Sequence, residues 1–261
     1  MNGYSDSKDI SNEFANNYNT LYNSVSSDLT DLQSMARAIR EDITIASEST
    51  VHIFPRVITI PDIKSAISKL QAGKSGGVSP VTSDCFIHGS DSLYYFIAML
   101  FNTMLLHGTI PSDFLVSILI PIPKGSRVDV RKTQNYRAIA LSSILGKILD
   151  NIIIILQKDV IKTSDLQFGY KSNCSTIMCS TLLIETIQYF TQLHSPVYVL
   201  FIDASKAFDR LCHIELFKIL AERNMCPLIR RLLFNMYGNQ KFQVRWNNCL
   251  SDMYKMTNGV K

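Results

Sequence analysis

The stretch VYVLFIDASKAFDR, residues 197–210, narrows the possible folds more than any other part of the chain. Its first six residues are β-branched, aromatic and aliphatic without a polar break, the pattern of a strand buried on both faces. A carboxylate, Asp203, follows at the strand's C-terminal end. From Ser205 the period changes: Ala207, Phe208, Leu211, Ile214, Leu216, Phe217 and Leu220 recur at helical spacing, with Ser205 as N-cap. The expectation is a strand, an acidic turn and a helix.

Composition limits what such a turn serves. With 261 residues, 46% hydrophobic and 18% charged, the chain can bury a sizeable core as one large domain or two small ones. The first fifty residues hold 3 basic and 8 acidic side chains, leaving 23 basic and 14 acidic in the rest. The main body therefore suits a polyanionic partner and the leader does not. Six cysteines, Cys85, Cys174, Cys179, Cys212, Cys226 and Cys249, form no CxxC pair and have no zinc spacing, so reduced and mostly buried thiols are expected. The N-terminus lacks the basic start and apolar run of a signal peptide. No stretch approaches the ~18 uninterrupted apolar residues of a membrane span. A soluble intracellular protein of cytoplasm or nucleus, with no membrane partner, is the expectation.

Residues 1–54 read as a polar, partly helical leader. Ile10, Phe14, Tyr18, Leu21, Tyr22 and Val25 form an apolar helical stripe that needs a surface to dock on, and a polar stretch runs on to about Ser49. In PDIKSAISKLQAGKSGG, Pro61 opens a helix that ends at the glycines. LYYFIAMLFNTML is a strongly apolar helix, VSILIPIPK a short strand, and ILGKILDNIIIIL a buried helix despite Lys147 and Asp150.

The loop in PKGSRVDVRKTQNYRAIAL carries Lys124, Arg127, Arg131, Lys132 and Arg137 against the single acid Asp129. A solvated basic hairpin is one reading. The other joins it to the acidic turn: cations hold a triphosphate while a carboxylate holds the magnesium bridging its oxygens.

These segments resemble the reverse transcriptases, in the form used by non-LTR (LINE-type) retrotransposons. QNYRAIALSSILGKILDNII is similar to the NYRPISL-type block and IPIPKGS to the first fingers motif. LQFGYKSNCSTI resembles the QxGFrxxxST block, and VLFIDASKAFDRL the first catalytic motif. AGKSGGVSP and NGVK resemble two further blocks, all in the family's order over roughly residues 55–261. The resemblance implies an α+β fold: fingers and partial palm of a right-hand polymerase, a small antiparallel sheet backed by helices, incomplete at the C-terminus. Residues 55–261 would then be a partial reverse transcriptase domain.

It also implies roles. Asp203 would be the catalytic carboxylate and a ligand of magnesium, with the Ala204 carbonyl beside it as a second metal ligand that also meets the nucleotide. Phe208 would pack under the sugar of the incoming nucleotide and leave no room for a 2′-hydroxyl; ordinary core packing is the alternative. Lys124 and Arg137 would hold the triphosphate, one as a point charge and one as a fork. The partners implied are an RNA template, a DNA primer and deoxynucleoside triphosphates, and the cofactor is Mg2+. Ser175 and Thr176 would either touch template phosphate or cap the following helix. Gly259 would allow close backbone approach to template or nucleotide, and Lys206 and Asp209 suit an ion pair.

Departures from the pattern are Ala138 in place of proline, Ala140 in place of serine, and Ser79-Pro80 in place of an Asp-Gly pair. The sequence contains no consecutive aspartates, whereas the family's second catalytic motif carries a pair. Two-metal transfer needs several anionic ligands, so nucleotidyl transfer is expected of an intact parent and not of these residues alone. A non-catalytic RNA-binding module is the alternative.

Overall fold

The computed structural model describes residues 2–25, 28–48, 56–77 and 79–260. These fall into two compact units, one of residues 1–157 with 206–261 and the other of residues 158–205. The expected boundary at residues 54 and 55 and the last residue of NGVK, Lys261, lie outside the described residues.

In the larger unit the elements run α1 (Ser7–Tyr22), α2 (Leu29–Glu48), α3 (Ile60–Ile67), β1 (Ser75–Gly76), β2 (Ser79–Thr82), α4 (Ser83–Ile87), α5 (Asp91–His107), α6 (Ser112–Leu115), β3 (Val116–Pro123), β4 (Tyr136–Leu141) and α7 (Ile144–Leu156). The smaller unit contains α8 (Thr176–Gln192). The chain then returns to the larger unit with α9 (His213–Glu222), α10 (Pro227–Asn239), β5 (Lys241–Trp246), β6 (Cys249–Leu250) and β7 (Tyr254–Lys255).

The main sheet has the order β4-β3-β5-β6, with β7 also on β5. It is antiparallel except for the parallel pair β3–β5, so a small, mostly antiparallel sheet combined with helices is present as expected. Alternation along the strands separates two faces. Tyr136, Ala138 and Ala140 of β4, Leu119 of β3, and Phe242, Val244 and Trp246 of β5 share one face with Ile10, Phe14, Tyr18 and Tyr22 of α1. Phe14 is fully buried there, edge-on to Tyr136 at 5.0 Å and 5.2 Å from Trp246. The apolar stripe read in the leader thus docks on this sheet. The opposite face carries Ile120, Ile122, Arg137, Ile139, Lys241, Gln243 and Arg245, of which Ile122 and Ile139 are 43% and 47% exposed.

Helices supply the rest of the core. Ile63 and Ala66 of α3, Phe101 and Met104 of α5, Ile148, Leu149 and Ile152 of α7, and Ile229 and Leu232 of α10 are buried. The polar stretch to about Ser49 is the helix α2, which packs on α10 and α9 and buries Ile39. Its apolar residues Leu32, Met35, Ile39 and Ile43 recur at helical spacing on the less exposed side, a signal the sequence reading overlooked. Helix α3 ends at Ile67, before the glycines, with Ser68 as C-cap. At its start Asp62 accepts from the Thr59 amide at 3.0 Å and from both terminal nitrogens of Arg56 at 2.6 Å. The Arg56 guanidinium holds this carboxyl well below the usual carboxylate range. Cys85 and Cys179 are exposed and the other four cysteines partly so; all are free, but none is the buried thiol expected.

In the smaller unit, α8 is capped by Ser175, whose hydroxyl accepts from the Met178 amide at 3.3 Å. None of its side chains is buried. The expected buried strand over VYVLFI is absent: residues 195–204 are irregular, with Tyr198 92%, Leu200 82% and Ile202 88% exposed. A strand exists through its neighbours' hydrogen bonds, and no described strand pairs with this segment. The helix expected from Ser205 is also later. Residues 205–210 are turns, with Lys206 at φ 55, and helical structure begins at His213.

Candidate nucleic-acid interface

Strands β3 and β4 form a hairpin in which Ile122 faces Arg137 and Pro123 faces Tyr136. The connecting loop is fastened by its own backbone. The Lys124 amide donates to the Asn135 carbonyl at 2.8 Å and Lys124 Nζ to the Gln134 carbonyl at 2.6 Å. Asp129 does not neutralise its cationic neighbours; one carboxylate oxygen accepts from the Arg131 amide at 3.0 Å, and its carbonyl from Asn135 Nδ2 at 2.9 Å. The Tyr136 hydroxyl donates to the Val130 carbonyl at 3.0 Å. Lys124, Arg127, Arg131, Lys132 and Arg137 are all exposed, and none forms an ion pair among the described residues. A shaped hairpin with five cations outside any ion pair, four in the loop and Arg137 on β4, is chemically suited to phosphate.

Arg137 stands on the sheet face away from α1, and the register of β5 brings Lys241 and Arg245 to that same face. The sequence reading missed these two cations. The signal was the alternation in KFQVRW, apolar at 242, 244 and 246 and polar or charged between.

Phe208 belongs to the larger unit and is 55% exposed. The NGV segment holds the backbone around it. Val260 N donates to the Phe208 carbonyl at 3.0 Å, Asn258 Nδ2 to the Asp209 carbonyl at 2.6 Å, and Gly259 N to the Leu211 carbonyl at 2.8 Å. Gly259 has φ +87, and a Cβ there would lie 2.7 Å from the Asp209 carbonyl oxygen. The close approach that this glycine permits is to the 208–211 turn. His213 Nε2 lies 2.8 Å from the Gly259 carbonyl, so Nε2 carries the proton. Burial holds this imidazole below its ordinary pKa despite that bond. Asp209 makes no ion pair with Lys206; it faces Tyr22, whose phenol is raised first by burial and then by the Asp209 charge and hydrogen bond.

Asp203 and Ala204 are both exposed, in the irregular segment of the smaller unit. Lys124, Arg137 and Phe208 belong to the larger one. Among the described residues, no three His, Cys, Asp or Glu side chains gather as potential metal ligands. The residues present do not complete a two-metal centre, whose paired dications need several anionic ligands. No helix among them is long and apolar enough to cross a membrane.

Residues 122–255 match the family model for reverse transcriptase (RNA-dependent DNA polymerase), a span that holds Lys124, Arg137, Asp203, Ala204 and Phe208 but not Gly259. The chain is 24% identical over 210 residues to the RNA-directed DNA polymerase from mobile element jockey of Drosophila funebris, covering 78% of this chain and 22% of that protein. It is 25% identical over 207 residues to the probable RNA-directed DNA polymerase from transposon BS of Drosophila melanogaster, covering 78% and 23%. A match of 24% over 223 residues to the transposon TX1 uncharacterized 149 kDa protein of Xenopus laevis covers 85% and 17%. The chain belongs to the reverse transcriptase family, as a domain of the non-LTR retrotransposon kind. It spans less than a quarter of the length of these relatives.

Proposed function

We propose that this chain supplies the fingers and the first part of the palm of an RNA-directed DNA polymerase, in residues 55–261, with residues 1–54 as a leader. The observation that carries the reading is the β3–β4 hairpin, whose five exposed cations, four in the loop and Arg137 on β4, form no ion pair among the described residues. Lys124 and Arg137 hold the triphosphate of an incoming deoxynucleotide, and the remaining loop cations follow the phosphates of an RNA template paired to a DNA primer. The Phe208 ring sets the sugar, excluding a 2′-hydroxyl by contact. Asp203 and the Ala204 carbonyl are the groups of this chain that magnesium would meet. Such an ion would supply charge neutralisation at the reacting phosphate, and Asp203 with the Ala204 carbonyl would form only part of its ligand set.

The test is RNA-templated primer extension in a chimera that continues past residue 261 with the corresponding part of the jockey relative. Asp203→Asn is expected to abolish incorporation while leaving nucleic-acid binding intact. Phe208→Ala is expected to admit ribonucleotides and keep deoxynucleotide use. Unchanged extension in Asp203→Asn, or unchanged sugar discrimination in Phe208→Ala, would contradict the roles assigned.

A further inference from the structure

Away from the β3–β4 loop, the larger unit has a second basic concavity. A solvent-open cavity of about 410 Å³ lies between the end of α3, the β1–β2 hairpin and α7. Three lysines from three separate segments line it: Lys69 after α3, Lys74 before β1, and Lys147 on the second turn of α7. Asp150 is the one acid on the wall. None of the three ammonium groups forms an ion pair or donates a hydrogen bond among the described residues.

The walls are fixed independently of any ligand. Asn151 Nδ2 donates to the Ala66 carbonyl at 3.1 Å, tying α7 to α3. The buried Ser83 hydroxyl accepts from the Lys74 amide at 2.9 Å and donates to the Gln71 carbonyl at 2.7 Å, which fastens the segment carrying Lys74. Gly77 seats the hairpin: at φ +70, a Cβ there would come 2.5 Å from the Leu141 carbonyl oxygen at the end of β4. Three like charges held on a rigid rim repel one another, and an anion relieves that repulsion. Leu70, half-buried on the same lining, adds apolar surface that suits a sugar or base edge better than a free inorganic anion.

We infer that the cleft between α3, the β1–β2 hairpin and α7 binds the phosphodiester backbone of a single nucleic-acid strand through Lys69, Lys74 and Lys147, a contact separate from the β3–β4 loop. This rests on the reading of the chain as a nucleic-acid-binding part of a polymerase. The cleft lies outside residues 122–255 for two of its three cations, so the nucleic-acid footprint extends beyond the part of the chain that matches the family model.

The experiment measures binding of a fluorescein-labelled single-stranded RNA to the 261-residue chain by anisotropy, from about 50 to 200 mM KCl. Replacing Lys69, Lys74 and Lys147 together by glutamine is expected to weaken binding about tenfold at 0.15 M salt and to flatten the log–log salt slope by about 2. The double variant Lys69→Gln, Lys74→Gln, at exposed positions only, is expected to flatten it by about 1.4 with unchanged circular dichroism. A control with the ion-paired lysines Lys8, Lys64 and Lys218 replaced by glutamine loses the same charge elsewhere and is expected to keep the wild-type slope. A wild-type slope in the cleft variants, or equal loss in the control, would overturn the inference. Loss of inorganic triphosphate binding with RNA affinity intact would also overturn it. If replacing Lys124, Arg131, Lys132 and Arg137 by alanine lowers RNA affinity while the cleft variants do not, the inference fails and the functional reading stands. If the unaltered chain binds no RNA, both fail.

Discussion

His213 and Gly259 show how a turn bearing a candidate nucleotide contact is kept in shape. The imidazole donates from Nε2 to the Gly259 carbonyl and is held below its ordinary pKa by burial. The neutral ring is the form the fold uses. Its stabilisation is therefore fully present above the unfolded value of about 6.5 and is lost as pH falls through the lower folded value. Urea denaturation should show stability dropping from pH 7 towards pH 5, with a smaller drop in His213→Gln, which keeps a donor without the titration; equal drops would remove His213 as the cause. At this scale the sequence was only partly legible. Ser175 as a helix cap was one of two readings its chemistry offered and is the one observed, whereas Gly259, expected to admit template or nucleotide, here admits the 208–211 turn. The Asp209–Tyr22 contact was not legible, because it joins positions 187 residues apart that no local pattern connects.

At the scale of elements, burial against a partner decides which apolar patterns become structure. Helix α1 was readable because its stripe repeats at helical spacing, and the sheet completes it: Phe14 is 0% exposed between Tyr136 and Trp246. Phe14→Ala is expected to destabilise the chain by about 3–5 kcal/mol, measured as a shift of the urea midpoint; a loss under 1 kcal/mol would mean that α1 is not integral to the sheet's core. Strand β3 and helices α5 and α7 were legible for the same reason, each apolar run finding cover in the larger unit. The segment VYVLFI has an equally strong strand pattern but no strand beside it among the described residues. Period and composition report a capacity for pairing, and pairing needs a second strand. Helix α2 is the converse case: its stripe of Leu32, Met35, Ile39 and Ile43 was passed over as part of a polar stretch, yet the helix is seated on α9 and α10.

For the whole molecule, the uneven charge read in the sequence has a structural counterpart. The excess of 23 basic over 14 acidic residues beyond the first fifty includes the β3–β4 loop and the sheet-face cations Arg137, Lys241 and Arg245. The central claim is that this loop meets nucleic acid as part of a reverse transcriptase. The most direct measurement is the affinity of the 261-residue chain for an RNA–DNA hybrid across a salt series, with Lys124, Arg131, Lys132 and Arg137 replaced by alanine. The account predicts weaker binding and a salt slope flatter by about 1.5, from the loss of the phosphate contacts of Arg131 and Lys132, with Asp203→Asn matching the unaltered chain. Affinity and slope unchanged in the loop variant would contradict it.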